Sequence, residues 1–240
     1  MPKEEYKNLE KKEKYRSFLP PKHDFSTLMP PIGFQGPIGS CTGWSTNYAV
    51  RSYYEFIVNK QVEIFSPSFP FDEVANENCS GAELNKVLDF MKNTGSVSIS
   101  KYLPKFDNCN VSPIHSSLKS EAANYKIKDW IALDPADQDT IKSLIYSGNP
   151  VIIGVILLAD ESDGITDYRG GIFDYNYTNW INKNLDLNNP RPEDKNKITG
   201  HAMVITGYDD EIKAFKVMNS WGDQWGDSGY IYYSYASMNE

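Results

Sequence analysis

The 240-residue sequence holds only three cysteines and three histidines, with no paired CxxC spacing of the kind that holds a zinc ion. An odd cysteine count leaves at least one thiol unpaired within the chain and argues against a disulfide framework. Basic charge is also scarce. Lys and Arg number 24 against 32 Asp and Glu, a net charge of −8, which is the wrong sign for non-specific nucleic-acid binding. No apolar run reaches membrane-spanning length; the longest, residues 150–159, is of strand length. There is no phosphate-cradling glycine loop and no internal repeat. The highly charged N-terminus does not resemble a signal peptide, so a cytoplasmic location is expected if the chain is complete. A secreted or periplasmic one is expected if a leader has been removed. Three N-x-S/T sites, at Asn78, Asn110 and Asn176, are near the chance number for so asparagine-rich a chain and carry no expectation of glycosylation.

What is present is a globular composition, with 40% hydrophobic residues and enough length for one large domain or two intimate halves. Residues 1–18 read as a charged extension and 19–240 as the domain. After a proline-rich, extended lead-in, a helical period begins at Cys41: Trp44, Tyr48, Ser52 and Phe56 are four apart, with Ala49, Tyr53 and Ile57 beside them. Ser40 is the expected N-cap. Residues 66–81 read as loop, and 82–95 as a helix with Leu84, Val87, Leu88 and Met91 on one face and Gly95 at its end. Residues 96–122 read as irregular. From about 124 the chain turns β-rich: 125–133 alternates as a strand should, a capped helix ends at Gly148, and strands follow around 151–157, 168–175, 201–220 and 228–235. A hairpin is expected at Asp209-Asp210-Glu211. A polar insertion, 174–200, interrupts this half. A loop of that length is either an idle excursion or a functional one, such as a partial lid. The expected class is α+β, with a helical part at about 35–123 and a β-rich part at about 124–235 meeting at a cleft.

Chemistry concentrates at three places. A thiol in the first turn of a helix feels the positive end of the dipole, which favours thiolate, so Cys41 is a candidate nucleophile as well as a candidate small buried hydrophobe. A thiol nucleophile needs a base. His23 and His115 fall in expected exposed loops, whereas His201 opens a strand directly after a long loop and can face a cleft. Asn219 supplies an amide that fixes an imidazole tautomer, and Trp221, two positions on, can shield that bond from water.

Together Gln35…Gly39-Ser40-Cys41, Gly200-His201-Ala202 and Asn219-Ser220-Trp221-Gly222 resemble, in order, the signatures of papain-like cysteine peptidases over about residues 19–235. The resemblance implies a papain-like two-lobed fold with Cys41 as nucleophile, His201 as base, Asn219 as orienting residue and Gln35 in the oxyanion hole. It also places Gly81, Ala82, Gly200 and Trp221 at the substrate. It implies a peptide or protein substrate and a proteinaceous inhibitor as partners, with no metal, no organic cofactor, no nucleic acid and no transmembrane segment. Three departures stand out. Ile38 replaces the cysteine that in the family bridges to the position of Cys79, so that bridge cannot form. Ala82 replaces the second glycine of a Cys-x-Gly-Gly turn. No long prosegment is seen. The implied activity is peptide hydrolysis through a thioester on Cys41. The alternatives are a cysteine-dependent acyltransferase or amidase, and a catalytically silent peptide-binding protein on the same fold.

Overall fold

The computed structural model describes residues 19–75, 79–107, 116–185 and 196–239. The charged N-terminal extension, Asn78, Cys109, Asn110, His115 and the middle of the insertion lie outside them. The candidate nucleophile opens a continuous helix, α1, over residues 41–59. It starts with α pairing at Cys41–Gly43, passes to π pairing over Trp44–Arg51, returns to α at Ser52–Tyr54 and ends π at Glu55–Asn59. Lys60, left-handed at φ 57°, stops it. Its apolar stripe is buried from Trp44 to Tyr53, but Phe56 is exposed, while Glu55 before it is buried and Ile57 after it packs on the main core.

One side of α1 faces the helical part of the molecule. Gly43 touches the next helix so closely that a Cβ there would lie 2.1 Å from the Pro67 carbonyl oxygen. That helix, α2 (Ser68–Val74), stands where the sequence reads as loop. Its prolines explain the misreading: Pro67 caps it and Pro70 sits in the first turn, where a missing N–H breaks no helical bond. α3 (Leu84–Asn93) agrees with expectation and buries Val87 and Met91. A further helix, α4 (Ser116–Ala122), occupies part of the stretch read as irregular, and Ala122 packs with Phe69 and Val97.

The other side of α1 faces a six-stranded sheet made of β1 (Lys22–Asp24), β2 (Val151–Leu158), β3 (Ile172–Phe173), β4 (Ile198–Asp209), β5 (Ala214–Met218) and β6 (Tyr230–Ser234). The order is β1-β4-β5-β6-β3, and β2 shares the β1 edge of β4. All pairs are antiparallel except β3 with β6. β4 is buried at every residue from His201 to Asp209, and its apolar residues stand at consecutive positions from Ala202 to Ile205 rather than alternating. Ala49 and Tyr53 of α1 join Ile141 and Ile145 of α5 (Gln138–Tyr146) and the strand residues Met203, Val204, Ile205 and Phe215 in the main core. The β4–β5 connection is the expected hairpin.

Two expectations in the β-rich half need correction. Residues 125–133 form no strand of the sheet: they run beside α3, with Trp130 Nε1 donating to Asp89 at 2.9 Å and the Ile127 amide to Met91 at 3.3 Å. The insertion is not a loop throughout. Its described part contains helix α6 (Tyr177–Asn184), and residues 198–200 already belong to β4, paired with β2. No helix among the described residues is long and apolar enough to cross a membrane.

Candidate active site

The site forms where the start of α1 meets the start of β4 and the turn after β5. Ser40 precedes the helix but makes no side-chain cap bond; instead its carbonyl accepts from the amides of Gly43 at 2.9 Å and Trp44 at 3.2 Å. Cys41 is 7% exposed, and its thiol meets the backbone N–H of Ala202, the residue after His201. β4 therefore delivers the histidine directly beside the helix that carries the thiol.

His201 is buried, and its Nε2 lies 2.7 Å from Asn219 Oδ1. The same Oδ1 accepts from the Ser220 amide at 2.8 Å. An amide N–H can point only at an acceptor, so this atom is the oxygen, and Nε2 must carry the proton it donates. The neutral imidazole then has its lone pair on Nδ1. The Trp221 ring covers the histidine at 4.7 Å between centroids and is itself met edge-on by Trp225 at 5.1 Å, which keeps the His201–Asn219 bond dry.

Gln35 reaches the site through a short antiparallel pairing of its segment with the asparagine turn. Phe34 bridges Trp221, the Gln35 amide donates to the Ser220 carbonyl at 2.8 Å, and the Gly222 amide donates to that of Gly33 at 2.9 Å. The Gln35 side chain is held at both ends: Nε2 donates to the Ile38 carbonyl at 3.0 Å, and Oε1 accepts from Ser220 Oγ at 2.7 Å. The second Nε2 hydrogen has no acceptor among the described residues. Ser220 thus ties Gln35 to Asn219, a part that sequence reasoning did not assign to it. The available signal was its place between Asn219 and Trp221.

Electrostatics differ from the expectation of a dipole-stabilised thiolate. Burial pushes the Cys41 thiol up, against the smaller opposing pull of the Ala202 and Thr42 amides. Burial also pushes His201 down to about 4, opposed by the bond to Asn219. Desolvation disfavours either charge alone, so a charge on one of the two groups calls for the opposite charge on the other.

The remaining candidates fall around this centre. The Gly39 amide donates to Cys79 at 3.2 Å, and a Cβ on Gly39 would strike Ser80 at 2.7 Å, so the Cys79–Gly81 turn rests on the nucleophile's own turn. Gly81 faces open space. Ala82 packs on Ile38 and Phe71. Gly200 is exposed, paired with Ile156 just before His201. His23 is neither in a loop nor near the site: it is half-buried in β1, opposite Tyr208 and edge-on to Tyr146 at 5.3 Å. Despite Ile38, Cys79 is disulfide-bonded, and Cys41 is a free thiol, so the odd count did not exclude a bridge.

Residues 19–240 match the family model described as "Papain family cysteine protease". A cysteine proteinase of Trypanosoma brucei brucei is 23% identical over 84% of this chain and 40% of its own length. Germination-specific cysteine protease 1 of Arabidopsis thaliana is 27% identical over 84% of this chain and 48% of its own. The chain thus spans about half or less of these relatives. Among solved structures, xylellain, a cysteine protease from Xylella fastidiosa, is similar with a TM-score of 0.68 and 25% identity, covering 93% of this chain and 82% of that one.

Proposed function

The chain belongs to the papain family of cysteine proteases, and from that premise we propose that it hydrolyses peptide bonds through a thioester formed on Cys41. The observation that carries this reading is the shared acceptor Asn219 Oδ1, which takes both the Ser220 amide and His201 Nε2 and so leaves Nδ1 as the basic edge of the ring. Since burial disfavours a charge on either group alone, thiolate arises by passing the thiol proton to Nδ1, which creates two opposite charges and no net one. The thiolate attacks the peptide carbonyl. The developing oxyanion is met by the second hydrogen of Gln35 Nε2 and by the Cys41 N–H, which as the first amide of α1 has no intrahelical acceptor. Each such donor is worth about 3–4 kcal/mol. The imidazolium protonates the leaving amine as the C–N bond breaks. Water then attacks the thioester, the acid departs, and its proton restores the thiol.

Gly81, Ala82, Gly200 and Trp221 line the approach in this reading, and the partners are a peptide or protein substrate and inhibitors that imitate one. A peptide-library cleavage profile combined with an epoxide or vinyl-sulfone thiol trap tests it. The trap should label Cys41 and abolish cleavage together, and His201→Ala should be inactive. Full activity of the His201 variant, or labelling without loss of activity, would remove the mechanism.

A further inference from the structure

Two large apolar side chains on the rim of the site are left in solvent. Phe34 is 61% exposed and Phe106 is 45% exposed, and neither belongs to the packed cores. Both abut the segment that carries Gln35. Phe34 immediately precedes it and pairs with Trp221, and its ring edge lies 3.5 Å from the point where a side chain would begin on Gly222. Phe106 covers Gly36, with Cδ1 3.2 Å from where a Cβ would stand. Exposed aromatic surface beside a reactive centre marks a place where a ligand completes the burial.

The direction of the reaction says which part of a ligand. His201 gives its proton to the leaving amine, so the substrate segment on the amine side of the scissile bond lies on the His201 side of Cys41. Trp221 stacks on His201 there, and Phe34 is the backbone partner of Trp221. A chain leaving the site over Trp221 therefore meets Phe34 and then the Gly36 corner under Phe106. We propose that Phe34 and Phe106, continuous with Trp221, form an apolar shelf that binds bulky hydrophobic side chains of the substrate segment on the leaving-amine side. This deepens the peptidase reading and rests on it.

The test uses internally quenched peptides identical on the acyl side and carrying Leu, Phe, Gly or Asp at the second and third positions after the scissile bond. In the wild-type chain kcat/KM should favour Leu and Phe over Asp by about tenfold, the size expected from partly burying one such side chain. In the Phe34→Ser/Phe106→Ser variant that ratio should fall to near one. Equal rates in the wild type, or a ratio that survives in the variant, would overturn the shelf. An aminocoumarin reporter, which has no residue on the leaving side, separates the two readings. If the wild type leaves both reporter and peptides intact, it is peptide hydrolysis that has failed. Anisotropy titration of the same peptides on the Cys41→Ala variant then reads the shelf directly, and equal affinities for Leu and Asp peptides would dismiss it.

Discussion

His201 and Cys41 share a burial that suits neither charge, and this sets the pH behaviour of the site. With the histidine pushed down to about 4, the acid limb of kcat/KM should lie near pH 4, where protonation from solvent removes the base. The bond to Asn219 raises the histidine value, so Asn219→Ala should move the limb lower still, alongside a loss of rate from the unfixed ring. A limb near 6.5 in the wild type would mean that the site opens to water in solution. Gln35 presents a second residue-level case. Gln35→Ala should lower kcat by about 10²–10³ with little change in KM, since the lost donor acts on the oxyanion. Ser220→Ala should lower kcat less, up to about tenfold, because one neutral hydrogen bond orients the glutamine. A KM effect without a kcat effect in either variant would place these residues in substrate binding instead.

Helix α6 shows how one element is attached to the rest. Asp163, buried in the turn after β2, accepts from the amides of Leu158 at 2.8 Å and Ile165 at 3.2 Å and from the Tyr177 hydroxyl at 3.0 Å. Tyr177 is the first residue of α6, and Trp180 packs on the main core. Asp163→Ala strands three buried donors and should cost about 3 kcal/mol, whereas Tyr177→Phe, which removes only one bond, should cost about 1 kcal/mol. Denaturant unfolding of the two variants distinguishes them, and equal losses would mean that the turn does not depend on the carboxylate. The described part of the insertion is thus tied down at its N-terminal end. The sequence showed the polar character of this segment but not its helix, because only half of α6 carries apolar residues and the partner Asp163 lies in another stretch.

At the scale of the molecule, α1 belongs to two packing centres at once. Ala49 and Tyr53 serve the sheet core, and the Tyr53 hydroxyl donates to the Gly148 carbonyl at 2.8 Å. On the helical side Asn47 donates to the Ser66 carbonyl and accepts from Ser96, both at 2.6 Å. The same helix is packed in the sheet core and hydrogen-bonded to the helical part, so calorimetry should show one unfolding transition rather than two. Its midpoint should also depend on pH. Between the ordinary histidine value of 6.5 and the buried value of about 4, the unfolded chain binds a proton that the native one does not. Stability is therefore complete above about pH 6.5 and is lost as pH falls through 4, by about 3 kcal/mol in all from this one group. His201→Gln should flatten that dependence.

Sequence period and signature order determined much of this protein: the helix that begins at Cys41, the helices at 84–93 and 138–146, the strands of the sheet other than β1, and the grouping of Cys41, His201, Asn219 and Gln35. Each is written in local spacing or in a motif whose residues must converge to be chemically useful. Tertiary structure decided the rest. Residues 125–133 alternate as a strand does, yet they pack beside α3 through Trp130 and Ile127 rather than joining the sheet. α2 was hidden because proline breaks a helix only beyond its first turn. The burial of Cys41 also lay outside the sequence. A helix start argues for thiolate, but the desolvation that opposes it comes from chain far away along the sequence that closes over the thiol only in the folded molecule.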